Sequence, residues 1–220
     1  MARPVNGFSS SADPISASDA SFSGDGLYRW WLRRRLAVAQ GAAARQAGAD
    51  GPRTLLFIGL NPSTADARRN DPTLRRLIGF AMVWGFAELV VLNLFARRSP
   101  HPAALRTVHD PVGVENDAVL AAWFARWADQ GLMDLWLGWG AKGSMFQRSC
   151  MVQRVLEPFC QQRIKRCPDH CGPLMLGLTR SGQPRHPLYA PRDRVLQPLV
   201  WAESCFIRHP EARPPVLGSY

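Results

Sequence analysis

Four short apolar runs recur along the chain: TLLFIGL (54–60), ELVVLNLF (88–95), DLWLGWG (134–140) and PLMLGLT (173–179). Each gives way to small or polar residues at its C-terminal end, and helical stretches lie between them. Strands buried on both faces read as near-continuous apolar runs, and their alternation with helices predicts a parallel sheet with crossover helices. The expected fold is α/β, a three-layer sandwich around a central, mainly parallel four-stranded sheet.

The helices carry their own signals. In DPTLRRLIGFAMVWG (71–85), Asp71 stands at an N-cap position and Pro72 at the first helical position, with Gly85 as the stop. Leu74, Leu77, Ile78, Ala81 and Met82 make its apolar stripe. ENDAVLAAWFARWADQG (115–131) predicts a second helix with Leu120, Trp123, Phe124 and Trp127 on one side. MFQRSCMVQRVLEPFC (145–160) predicts a third, and a last helix is expected over 193–205. LYRWWLRRRL (27–36) fits either an edge strand or the first turns of a helix, and AQGAAARQAGADGPR (39–53) is a small-residue connection. Residues 1–26 are serine-rich with little to form a core, so a disordered leader is expected there, followed by a single α/β domain over 27–220.

Composition narrows the class. With 220 residues and 46% hydrophobic content, one well-buried core is the working expectation. No run approaches the roughly 18 consecutive apolar residues of a membrane helix, and no continuous apolar signal segment opens the chain. A soluble, cytoplasmic protein with no membrane partner is expected, its five cysteines reduced thiols rather than a disulfide frame. Lys and Arg number 27 against 17 Asp and Glu, a formal charge of +10 that is nearly all arginine. Such a surface suits a nucleic-acid or nucleotide partner, and equally suits a merely arginine-rich protein.

If the four runs are parallel strands, their C-terminal ends deliver four sets of residues to one rim. These are NPSTAD (61–66), NLFARR (93–98), GWGAKG (138–143), and Thr179 with RSGQPRHPLY (180–189). Taken singly, such Asn and Asp residues often only close turns through their own backbone. Their convergence where open α/β sheets hold ligands points to a site.

Together with DPVGVEND (110–117), the NPSTAD and PRHPLY blocks resemble an uncharacterised bacterial domain-of-unknown-function family marked by those two motifs. More distantly, the chain resembles the uracil-DNA glycosylase superfamily. The landmarks are a Gly59-Leu60-Asn61-Pro62 loop after the first strand, Val90 to Asn93, LWLGWGAKG (135–143), and His186-Pro187 after the fourth strand. That resemblance implies a glycosylase-like protein acting on a nucleobase N-glycosidic bond in DNA or a modified nucleotide. The alternative is a nucleic-acid- or nucleotide-binding module of the same fold without catalysis.

Bond cleavage of this kind needs a positioned water on one side and donors for the departing base on the other. By the resemblance, Asn61 holds the water, Asp66 serves as a general base and His186 donates to a base oxygen. Asn93 reads the base edge, and Leu188 acts as an apolar wedge beside a flipped nucleotide. Pro62, Ser63, Phe95, Arg97, Trp139, Arg185 and Tyr189 complete the expected substrate-binding set. No cofactor is expected. Cys160, Cys167, His170 and Cys171 have the residue types of a zinc site, but His170 and Cys171 are adjacent and no paired C-x-x-C knuckle is present, so no metal is expected. Trp30 and Trp31 with Arg33 to Arg35 suit either a nucleic-acid clamp or an amphipathic element over the sheet edge.

Overall fold

The computed structural model describes residues 15–37, 51–63, 65–66, 69–202 and 205–208. Its strands are β1 (Ile15–Phe22), β2 (Arg29–Leu36), β3 (Thr54–Gly59), β4 (Glu88–Asn93), β5 (Met133–Leu137), β6 (Leu174–Met175), β7 (Gln197–Ala202) and β8 (Cys205–Arg208). The α-helices are α1 (Pro72–Val83), α2 (Asn116–Asp129) and α3 (Arg148–Arg166). One mixed sheet runs in the order β1-β2-β4-β3-β5-β6-β7-β8.

The four apolar runs form the middle of this sheet, where β4, β3, β5 and β6 are parallel. Four strands is nevertheless too few. β1 and β2 add antiparallel to one edge, and β7 and β8 add antiparallel to the other. Two expectations are corrected here. The disordered leader expected over 1–26 does not reach that far, because Ile15–Phe22 is a strand on the sheet edge; residues 1–14 lie outside the described residues. The last helix over 193–205 is instead the β7–β8 hairpin. Pro198 at the second position of β7 fits a peripheral strand and not a helix interior. The ambiguous arginine-rich segment is the strand β2. The connection over 39–53 lies largely outside the described residues.

Alternation along the central strands splits the core between two faces. Leu55 and Phe57 of β3 pack with Leu74, Leu77, Ile78 and Phe80 of α1. Leu56 and Ile58 pack with Leu120, Trp123, Phe124 and Trp127 of α2 and Val152 and Leu156 of α3. Each such fully buried side chain contributes about 1.5–3 kcal/mol through removal from water. α1 forms as its signals dictate: Asp71 Oδ1 accepts the Leu74 amide at 2.7 Å, and Gly85 leaves the helix at φ 75°. Met82 departs from the expected stripe and is exposed.

Register places the site. Gly59 of β3 pairs with Asn93 of β4, and Ile58 pairs with Leu137 of β5. Three parallel strands therefore end at one level, and the loops that follow them share one rim.

Candidate functional site

Those loops are laced together by hydrogen bonds. The Ser99 amide donates to Pro62 O at 2.8 Å, and Asn61 Nδ2 donates to Ser99 O at 2.8 Å and to Pro62 O at 2.9 Å. The Gly140 amide donates to Pro184 O at 2.8 Å, and Trp139 Nε1 donates to Gln183 Oε1 at 2.8 Å. The β3 and β4 loops are thus one unit, and the β5 loop is tied to the segment carrying His186. Between the two units lies a cavity of about 670 Å³.

Asn61, Ser63, Trp139, Arg185, His186, Leu188 and Tyr189 line this cavity, so seven of the expected residues meet although they lie far apart in the chain. Asn93 lines a smaller recess of about 50 Å³ that shares Asn61, Asp71 and His186 with the cavity. Four expected residues lie elsewhere. Phe95 is fully buried in the core. Arg97 stacks its guanidinium over the Tyr28 ring at 5.5 Å. Pro62 is buried and contributes its carbonyl to the loop bonds.

Asp66 is the consequential case. Its Oδ1 accepts the Arg69 amide at 2.8 Å, and its carbonyl accepts from the buried Arg34 at 2.5 Å. Side chain and backbone both bond to Arg69, and Asp66 lines neither space. The carboxylate that borders both is Asp71, read from the sequence only as a helix cap. Its position after the β3 loop and before α1 is the signal that could have found it.

His186 precedes the 3-10 turn Pro187–Tyr189, and its Nδ1 accepts the Leu188 amide at 3.3 Å. The ring proton therefore sits on Nε2. Burial pushes the imidazole down from 6.5 to about 4, with Asp71 pulling weakly the other way. At neutral pH His186 is an uncharged donor. Gly140 supports it from the β5 loop: its φ is 75°, and a Cβ there would lie 3.1 Å from His186 Cβ.

Asn61 is fixed in a complementary sense. Because both partners of its Nδ2 are carbonyls, the amide orientation is set, and Oδ1 remains the acceptor for a ligand or water. Lys142, Arg180 and Arg185 line the cavity and are exposed, while Asp71 is its one acidic lining residue among the described residues. Lys142, Thr179 and Arg180 join the lining from the rims named in the sequence, whereas Ser99, just past the 93–98 set, and Arg29 of the small recess had no sequence signal.

Among the described residues no three His, Cys, Asp or Glu side chains form a metal-holding group. Among them, no helix is long and apolar enough to cross a membrane. Trp31 packs edge-on to Trp123 of α2 at 6.3 Å and Trp30 is buried, so this pair belongs to the fold rather than to a nucleic-acid clamp.

Residues 29–188 match the family described as Protein of unknown function (DUF1643), and the chain belongs to that family. The match begins at the first residue of β2 and closes within the PRHPLY segment, so it encloses the cavity's lining from Leu60 to Leu188. No curated protein matches the chain significantly, and no solved structure does.

Proposed function

We propose that the chain hydrolyses the N-glycosidic bond of a nucleotide unit, either free or flipped out of DNA. The observation that carries this reading is the pairing of Asn61 and His186 on one cavity, an orienting acceptor and a neutral Nε2–H donor. A volume of about 670 Å³ falls in the range of small-ligand sites. The exposed Lys142, Arg180 and Arg185 suit a phosphate at the mouth. The order of landmarks shared with the uracil-DNA glycosylase superfamily supports the same chemistry.

In this scheme Asn61 Oδ1 accepts a hydrogen bond from a water whose oxygen attacks the sugar C1′. The bond from C1′ to the base nitrogen breaks, its electron pair leaves with the base, and His186 Nε2–H donates to the base oxygen that gains charge. The water's proton passes to the Asp71 carboxylate, whose Oδ1 is held by the Leu74 amide. Leu188 and Tyr189 are exposed at the rim, where an apolar wedge would occupy the gap left by a flipped nucleotide.

The test is release of free base, read by mass spectrometry, from a panel of modified single- and double-stranded DNAs, nucleosides and nucleotides. Release from at least one class supports the reading. Saturable nucleotide binding with no release from any class would favour a binding module.

A further inference from the structure

A second cavity, of about 800 Å³, runs along α3 and shares no lining residue with the candidate site. Gln153, Glu157, Gln161 and Ile164 border it at spacings of three or four residues, so one face of the helix forms its side. Pro168, Gly172, Pro173 and Leu199 of β7 also line it. Two features leave this groove incomplete. Ile164 is 65% exposed although it borders the groove. Arg154 and Glu157 are exposed groove charges that form no ion pair among the described residues.

Position indicates what can complete it. β8 pairs antiparallel with β7, and its last residue, Arg208, stands opposite Leu199 of the groove. The chain therefore leaves β8 about one strand spacing, roughly 4.8 Å, from a lining residue. Residues 209–220, HPEARPPVLGSY, follow and lie outside the described residues. Fully extended, these twelve residues reach roughly 40 Å. The helix face from Gln153 to Ile164 spans only roughly 17 Å.

The segment's chemistry matches the groove. Pro210, Pro214 and Pro215 disfavour a helix interior and a central strand, and the carbonyls around them suit the Gln153 and Gln161 amides as donors. Val216 and Leu217 offer an apolar pair to Ile164. Glu211 and Arg213 bring one charge of each sign to Arg154 and Glu157.

We propose that residues 209–220 dock in this groove as a strap from the end of β8 onto α3. Docking covers Ile164, gives Arg154 and Glu157 their partners, and encloses Cys150, an exposed thiol that lines the same groove. The strap is independent of hydrolysis, because the two cavities have no residue in common.

Cys150 reports on the strap directly. The full chain is treated with N-ethylmaleimide, and modification of Cys150 is followed by peptide mass spectrometry. In the double variant Val216→Ser, Leu217→Ser, Cys150 should react at least about fivefold faster than in the wild type, as expected when a closed segment opens. An excess of synthetic peptide 209–220 should slow the reaction of that variant again. Ile164→Ser tests the groove from the other side: it replaces an exposed side chain, spares the core, and should unmask Cys150 to a similar extent. Equal Cys150 rates in the wild type and these variants overturn the strap, as does a peptide that fails to slow the double variant. Protection that survives the tail substitutions and grows with protein concentration also overturns it, since a second copy would then cover the groove.

Discussion

His186 Nδ1 accepts the Leu188 amide at 3.3 Å, so one backbone bond decides which ring nitrogen carries the proton. The donor thereby presented is uncharged, because burial holds the imidazole at about 4. Two consequences can be measured. Activity should show no histidine titration between about pH 5 and 8. For stability, the unfolded histidine ionises near 6.5 and the folded one near 4, so the unfolded chain takes up the proton first. The stability linked to His186 is complete above 6.5, declines as pH falls from 6.5 to about 4, and is level below that. Urea midpoints at pH 7 and 5 check it: His186→Gln should flatten the difference seen in the wild type.

The choice of carboxylate gives a second prediction. Asp71→Asn preserves the helix cap, since Asn caps as well as Asp, and removes the proton acceptor. Its rate should fall by about 10² or more while its melting temperature stays within a few degrees. Asp66→Asn alters a carboxylate that lines neither space and should keep nearly full activity. A reversal of these two results would restore Asp66 as the base.

These residues show how far the sequence could be read. The four central strands were legible because burial on both faces demands unbroken apolar runs, and α1 was legible because its cap, proline and stripe agree. β1 was missed because an exposed edge strand can be built from Ser and Ala without an apolar face. β2 was ambiguous because Arg29 and Arg34 are buried within it, their charges held by loop carbonyls that no local pattern reveals. Asp66 and Asp71 could not be told apart, since the Asp66 carboxylate is engaged by the Arg69 amide while Asp71 borders the cavity, and no local pattern shows either. Phe95 lies just beyond a strand end, but it is fully buried in the core.

Gly140 makes a third prediction. Gly140→Ala puts a side chain on a residue with φ 75° and brings its Cβ within 3.1 Å of His186 Cβ. With ψ at −176° this backbone is essentially glycine-only and costs an L-residue on the order of 1–3 kcal/mol. The variant should melt several degrees lower and lose activity beyond its loss of stability, as His186 is displaced. Unchanged activity in the folded variant would show that His186 does not depend on this contact.

Arg163 makes a prediction about stability alone. Its buried guanidinium donates to the carbonyls of Cys171 at 2.8 Å and Met133 at 2.9 Å, and also to Trp127. Arg163→Met leaves these acceptors buried and unpaired, at about 1–3 kcal/mol each before relaxation. Chemical denaturation should show a loss of at least about 3 kcal/mol. A loss below about 1 kcal/mol would mean that water replaces the guanidinium.

The most direct measurement of the central claim is the single-turnover rate of base release from the best substrate of the panel, for the wild type, Asn61→Ala and His186→Ala. Each variant should remain folded and release base about 10² or more slower, as expected for loss of a positioned acceptor or an oxyanion donor. Release at the wild-type rate in both variants, or no release by the wild type from any substrate, would contradict the hydrolytic account.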